Sequence, residues 1–442
     1  MKLNKRRIRI VLMLLAFILI VPGMTIALAN QEAAKHPAAE TYQPTPVPDR
    51  IILTWTGDTA TSQAVTWRTD DSVASPQAQI AKVEEGPQFK ERTTTVLAGQ
   101  TSEVKSNLGY TAKFHTVNFE GLKPSTQYVY RVGDGANWSE WMAFTTGSDR
   151  DEPFSFLYIG DAQNDIKEHW SRVIRKAYTS LPNASFIIHA GDLIDHGDAD
   201  EQWGGWFEAA GWLNGMVPTI ATPGNHEYSR ITDTPRQLSE YWNTQFAFPA
   251  NGPEGQEEVV TYWDYQGMRI ISLDSNIQYV DFEAQLDWLE EILENNPNKW
   301  TVLTFHHPIF SSAEGRDNKE LRDKLLPIIE KYSVDLVLQG HDHTYARGDK
   351  GDKGHGAKVY NADTVFASSV AGPKLYKLSH EVWEANGATV RSSAENIQLY
   401  QQIHVNGDVL SYEAYTATGG LYDRFEMRKL PNGKKQIKEL KK

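Results

Sequence analysis

Five short apolar runs in this 442-residue chain each end abruptly in residue types that bind metals. Phe154 to Ile159 runs into Gly160-Asp161-Ala162-Gln163, and Phe186 to Ile188, then His189-Ala190, runs into Gly191-Asp192-Leu193-Ile194-Asp195. Val217 to Ala221 leads to Gly224-Asn225-His226-Glu227, Val302 to Phe305 to His306-His307-Pro308, and Val334 to Leu338 to Gly340-His341-Asp342-His343. A Gly-Asp after a strand is common, and a lone His-x-His is as often structural as functional. Five such endings together read as a dinuclear metal site, because a carboxylate such as Asp192 can bridge two cations about 3.5 to 4 Å apart. The chain has no Cys, so nitrogen and oxygen must hold the ions. That donor set favours Zn, Mn or Fe, as two divalent or mixed-valence ions, over soft-ligand metals.

Such residues act together only if the fold brings them to one place. In open α/β sheets, ligands bind beyond the carboxyl ends of the strands, where each of these motifs falls. Between them lie amphipathic helices: Ile166, Trp170, Val173, Ile174 and Ala177 share one face, as do Phe282, Leu286, Leu289 and Leu293. Strands alternating with helices predict an α/β domain over 153–417, with late strands near Leu399 to Val405 and Val409 to Tyr415. His341 and His343 are expected on the same face of an extended segment. Ahead of this domain, 51–148 is a series of short β-branched and aromatic runs, among them Ile52 to Trp55, Ala64 to Trp67, Thr116 to Phe119 and Tyr128 to Val132. Turn residues separate them, as in a small all-β sandwich. Residues 30–50, with Pro37, Pro44, Pro46 and Pro48, read as a flexible or extended linker. Residues 418–442 read as a last strand and a solvated basic tail.

Residues 1–29 combine Lys2, Lys5, Arg6, Arg7 and Arg9 with an apolar stretch from Ile10 to Val21 and close on Ala27-Leu28-Ala29. That is the pattern of a signal peptide cleaved after Ala29, with Pro22-Gly23 breaking the helix first; an uncleaved membrane anchor is the alternative. Cleavage would take the net charge from −13 to −18. So acidic a surface argues against nucleic acid as a stable partner. It does not argue against a small phosphorylated substrate, whose charge bound metal would meet. No other segment is long and apolar enough to cross a membrane, so no membrane association is expected once the signal is gone. A protein secreted by a bacterium, outside the cell or in its envelope, fits both the export signal and the absence of Cys.

The set of motifs, in this order, resembles the calcineurin-like metallophosphoesterase superfamily. The β-sandwich ahead of it, with the fibronectin type III-like run Leu122-Lys123-Pro124-Ser125-Thr126-Gln127-Tyr128, makes the chain similar to the purple acid phosphatase branch, as do Val334 to Tyr345 and Ala371-Gly372-Pro373-Lys374-Leu375-Tyr376. The resemblance implies a four-layer α+β sandwich of two mixed sheets flanked by helices. It also implies that Asp161, bridging Asp192 and His343 bind the first metal, and Asp192, Asn225, His306 and His341 the second. Water bound between the ions would become the nucleophile.

Two positions depart from that pattern. Purple acid phosphatases carry a Tyr three residues after the bridging Asp, which colours their ferric site; here Asp195 stands there. The superfamily usually has a His two residues after the first Asp; here it is Gln163, which either offers its carbonyl oxygen to the first metal or hydrogen-bonds around it. Asp195 is expected to orient His226 and raise its pKa, making His226 the acid that assists the leaving oxygen; capping a local turn is the alternative role for Asp195. Arg316, in the polar loop Ser311 to Asp317, is a candidate for binding a phosphate oxygen, or an ordinary solvated residue. His196 and His307 adjoin motif residues and are expected to shape the pocket. Arg347-Gly348-Asp349 has the form of an adhesion tripeptide in a Gly- and Lys-rich loop. The expected activity is hydrolysis of phosphate monoesters. A phosphodiesterase or nucleotidase on the same site is the alternative enzyme, and an inactive cell-surface binding module the alternative of another class.

Overall fold

The structure is a computed structural model that describes residues 38–230 and 236–441. The expected signal segment therefore lies outside the described residues. Residues 38–42 form a helical turn, and the first strand begins at Asp49, so the second half of the expected linker is folded. The reason is Arg50: its buried guanidinium grips Asp200 at 2.7 Å, and a flexible linker would leave that carboxylate short of charge.

Two antiparallel four-stranded sheets make the N-terminal sandwich. One runs in the order Asp49–Thr54, Gln63–Asp70, Thr111–Phe119, Gln100–Lys105, and the other Thr94–Leu97, Gln77–Lys82, Gln127–Gly133, Met142–Thr145. Leu53, Val65, Trp67, Val117, Phe119, Tyr130 and Phe144 fill the space between them. The outer face of the first sheet is apolar as well: Ile52, Trp55, Val104, Ala112 and Phe114 pack into the core of the following domain. There Asp200 also meets Arg68 at 3.2 Å and the Tyr110 hydroxyl at 2.6 Å. The sandwich is thus fastened to the second unit by apolar burial around a satisfied ion cluster.

The second unit is built on two mixed sheets packed face to face. An eight-stranded sheet runs Thr219–Ala221, Ile187–His189, Phe154–Ile159, Leu399–Asn406, Val409–Thr416, Leu421–Lys429, Lys435–Glu439, Val359–Asn361. A seven-stranded sheet runs Thr261–Tyr265, Met268–Ser272, Trp300–Thr304, Leu336–Gln339, Val365–Ser368, Tyr345–Asp349, Thr389–Ala394. The first three strands of one and the second to fifth of the other are parallel. Their continuous apolar sequences follow from burial on both faces. Ile270, Val302, Leu336 and Leu338 face the other sheet, while Ile271, Leu303 and Val337 face the helices Phe282–Glu294 and Lys319–Lys331. Helix Ser171–Ser180 covers the eight-stranded sheet with Val173, Ile174 and Ala177.

The expected solvated tail is instead part of the sheet. Leu421–Lys429 and Lys435–Glu439 bury Phe425, Met427 and Ile437, and Lys429 and Lys435 both reach buried Asp335, at 2.8 and 2.6 Å. Alternating apolar residues, masked by the surrounding lysines, account for the difference. Arg347-Gly348-Asp349 is likewise no exposed loop: it is a buried strand segment, with Arg347 paired to Asp423 and Glu439 and Asp349 to Arg391.

His115 and His189, neither of them in the candidate ligand groups, are kept neutral inside this fold. Burial pushes His115 down to about 4, between the hydroxyls of Thr69 and Thr101, and pushes His189 down to about 3 between Trp170 and Trp206. Both lie below the unfolded value of about 6.5. The stability they contribute is therefore complete above that value and is lost as pH falls through it toward 4 and 3. The expected outcome is a melting temperature that drops below about pH 6, with a shallower drop in His115→Gln; an unchanged slope in that variant would remove His115 from the account.

Candidate metal centre

The five motifs arrive from two sheets, not one rim. Asp161, Asp192 and Asn225 follow parallel strands of the eight-stranded sheet, whereas His306 and His341 follow parallel strands of the seven-stranded one. The site lies where the carboxyl ends of both sheets meet. Two glycines allow the close approach: a Cβ on Gly224 would sit 2.2 Å from Asp192 Oδ1, and one on Gly340 would sit 2.2 Å from Asp161 Oδ1.

Among the described residues, two groups of side chains could hold a metal ion: Asp161, Asp192 and His343, and Asp192, His306 and His341. Within each group the donor atoms lie within 4.8 Å of one another, and Asp192 belongs to both, as a bridging ligand must. The orientations suit coordination. His306 donates from Nδ1 to the Ala190 carbonyl at 2.9 Å, leaving Nε2 3.1 Å from Asp192 Oδ2 and from His341 Nδ1. His343 donates from Nδ1 to the Lys374 carbonyl at 2.9 Å and turns Nε2 toward Asp161 at 3.3 Å. Backbone acceptors on one ring nitrogen fix which nitrogen is left for a metal. Asn225 Oδ1 is buried with no hydrogen-bond partner among the described residues, an orphan acceptor that a cation would satisfy. The residues present therefore fit a metal pair.

His341 and His343 meet by a different geometry from the extended one expected. Both have positive φ, 72° and 51°, in a bend with Asp342 between them. Asp342 is buried and accepts from the backbone N–H groups of Ser312 and Ala313, anchoring the turn. Asp192 is also left-handed, at 51°. Such backbone costs energy and persists only where surroundings hold it.

Electrostatics point the same way. Burial raises the Asp161 carboxyl and the nearby Asp192 charge adds to this, while His306 opposes it. Burial would raise Asp192 too, but His306 and His226 outweigh it and hold it low. His306 is correspondingly raised, since Asp192 and Asp161 more than offset its burial.

Gln163 is fully buried, with Nε2 2.6 Å from Asp192 Oδ2 and 3.5 Å from His343 Nε2, while Oε1 accepts from Lys374 Nζ at 3.2 Å. As placed, the amide nitrogen lies among the first ligand group, and a half-turn of the amide would present its oxygen there. Asp195 meets His226 Nδ1 with its carbonyl oxygen at 2.7 Å and a carboxylate oxygen at 3.1 Å. The expected pairing is present, but the pKa expectation is reversed: burial lowers His226, and Asp192 and Asp195 recover only part of this. Arg316 donates to the His341 carbonyl at 2.9 Å, stacks over the Tyr376 ring at 4.7 Å and keeps a third of its side chain exposed at the rim. His307 is partly buried against the His341 ring and bonded to Ser275, whereas His196 is half-exposed, 3.3 Å from Asp195.

Sequence reasoning missed three residues here. Glu227 is fully buried and accepts from the backbone N–H groups of Asp192, Leu193 and Gly224, binding two strand ends together. Arg230 places Nη2 2.8 Å from His226 Nδ1. Lys374 touches Gln163 through Nζ and His343 through its carbonyl. Glu227 directly follows Asn225-His226, so an acid inside a motif was the available signal; nothing local marks the other two.

Residues 48–146 match the model of the purple acid phosphatase N-terminal domain, and residues 154–345 that of the calcineurin-like phosphoesterases. The chain is 25% identical over 349 residues to purple acid phosphatase 23 of Arabidopsis thaliana, covering 68% of this chain and 74% of that protein. It is 28% identical over 270 residues to acid phosphatase type 7 of Danio rerio, covering 53% of this chain but only 57% of that protein. In fold it is similar to the purple acid phosphatase PPD1 from yellow lupin seeds, with TM-score 0.67 and 18% identity over 86% of this chain and 74% of that one.

Two outcomes are expected from these contacts. Because Asp195 faces His226, iron-loaded protein should show no visible phenolate-to-metal absorption; a purple preparation would mean another Tyr ligates. Glu227→Ala strands three buried N–H donors at about 1 to 3 kcal/mol each, so the melting temperature and bound metal should fall together, whereas a wild-type melt would show that the donors find other partners.

Proposed function

Since the chain belongs to the calcineurin-like phosphoesterases and carries the purple acid phosphatase N-terminal domain ahead of the catalytic one, we propose that it is an exported phosphatase acting on small phosphate monoesters. The observation that carries this reading is Asp192, shared by two ligand groups beside an orphaned Asn225 Oδ1 and facing His226. Two bound cations held by Asp161, Asp192, Asn225, His306, His341 and His343, with Gln163 beside them, would supply Lewis acidity and an acidified water.

The chain's own residues account for the rest. The two oxygens of Asp195 around His226 Nδ1 suit the tautomer with hydrogen there, against one N–H of Arg230 that suits the other. Nε2, 3.8 Å from Asp192 Oδ2, is then the atom that gives a proton to the departing alkoxide once the ring is protonated. Asp195 holds the ring in that orientation. Arg316 offers the unshared part of its guanidinium to a non-bridging oxygen. Export rests on residues 1–29; among the described residues no helix is long and apolar enough to cross a membrane.

The test compares an aryl phosphate monoester with the diester of the same phenol, alongside metal analysis. Two equivalents of metal in wild type, loss of at least one in Asp192→Asn with activity down about a thousandfold or more, and a monoester preference are expected. A strong diester preference would replace this reading with a phosphodiesterase, and a metal-free, inert wild type would favour a binding module. Protein recovered from the medium should begin at Asn30; an intact N-terminus on cell-bound protein would instead show a retained anchor.

A further inference from the structure

The first ligand group has a neighbour with an unusual environment. Lys374 lies in the segment after the seven-stranded sheet's Val365–Ser368 strand, and its backbone is pinned there by the hydrogen bond from His343 Nδ1 to its carbonyl, 2.9 Å long. Its ammonium reaches Gln163 Oε1 at 3.2 Å, and the other end of that amide touches Asp192 Oδ2 at 2.6 Å. The positive charge is therefore one side-chain amide away from the bridging carboxylate. Lys374 is half-buried, and among the described residues its ammonium meets an amide oxygen and, at 5.8 Å, the Tyr376 ring, with no carboxylate in ion-pair range. Lys377, three residues on, is exposed and faces Glu314 at 3.7 Å, the usual state of a surface lysine.

A half-buried ammonium balanced by one neutral acceptor is poised for an anion, because charge-assisted hydrogen bonds are about twice as strong as neutral ones. The second cation of this rim stands on the same aromatic plate: Arg316 Cζ lies 4.7 Å from the Tyr376 centroid, and the Tyr376 ring lies 4.9 Å from that of His343. One cation flanks the first ligand group through Gln163, and the other flanks the second through the His341 carbonyl.

We propose that Lys374 is a substrate-binding residue that, together with Arg316 across Tyr376, selects the dianionic terminal phosphate of a monoester over the singly charged phosphate of a diester. This rests on the phosphomonoesterase reading above. A monoester presents three non-bridging oxygens sharing nearly two charges, enough for the metal site and both cations. A diester spends one of those positions on a second ester arm and carries half the charge, so it gains less from Lys374. The competing role is purely positional, with Lys374 only orienting the Gln163 amide; that role acts through the metal ligands and affects both esters alike.

The experiment measures kcat and KM of metal-loaded wild type, Lys374→Met, Lys374→Arg and Lys377→Ala on an aryl monoester and its matching diester. Metal content and binding of inorganic phosphate by titration calorimetry are measured on the same samples. Loss of one charge-assisted contact predicts a monoester KM and a phosphate dissociation constant about tenfold to a hundredfold higher in Lys374→Met. Metal content and kcat should stay near wild type, the monoester-to-diester ratio of kcat/KM should fall about tenfold, and Lys374→Arg should recover part of the loss. Lys377→Ala should behave as wild type. Equal losses on both esters, a lost metal equivalent, or unchanged phosphate affinity would overturn the proposal. If wild type itself prefers diesters, the monoesterase reading fails instead, and the phosphate titration still decides whether Lys374 binds phosphate.

Discussion

Two carboxylates that cannot both stay charged without help, Asp161 and Asp192, are the constraint around which the rest of this structure is arranged. Both are fully buried, and each contributes a donor atom to a group spanning at most 4.8 Å. At that separation two negative charges repel by about 3 kcal/mol even at an effective dielectric constant near 20. A third acid, Glu227, lies buried behind them, and its carboxyl is raised by burial and by Asp192. Every surrounding feature answers this excess. His341 donates its backbone N–H to Asp161, His226 donates its own to Asp192, and the imidazole of His306, raised by both acids, sits between them. Metal ions held by the two ligand groups would complete what these contacts begin.

Placing both acids in one pocket requires two sheets. A single parallel sheet spaces its strand ends about 4.8 Å apart along a line, which suits one ligand but not a cluster reached from several sides. Here the oxygen donors descend from one sheet and the nitrogen donors from the other, and the sheets are locked by apolar side chains between them. Relative motion of the sheets would open the cluster, so the packing that stabilises the fold also sets the spacing of the site. The C-terminal strands belong to this lock: Lys429 and Lys435 tie the eight-stranded sheet to Asp335, at the start of a strand of the seven-stranded one.

Much of this was legible in the chain. The five apolar runs are strands, the two helical stripes are buried, and the residues singled out at the strand ends converge, because strand-end chemistry is local and periodic. What was not legible depended on distant partners. The lowered pKa of His226 comes from a burial that no local pattern reveals. The tail read as solvated because its lysines are numerous, and only the location of Asp335 shows why two of them turn inward. Lys374 stood within a recognised segment, yet its role depends on Gln163, 211 residues earlier.

The backbone at the site carries a last implication. Asp192, His341 and His343 all hold left-handed φ, a conformation costing about 1 to 2 kcal/mol for a residue with a Cβ. Glycine would relieve the strain but would remove the side chains, so the fold supports the strain from outside. Glu227 grips the N–H groups of Asp192 and Leu193, and Asp342 grips those of Ser312 and Ala313 beside the two histidines. The buried acids Glu227 and Asp342 are thus the counterparts of Asp192 and of the His pair: each fixes a turn so that a different residue can point at the cluster. An extended strand end would also have sent both histidines to one face, but about 6.6 Å apart along a straight backbone. The turn instead aims one at each ligand group, and the buried carboxylates behind it make it tolerable.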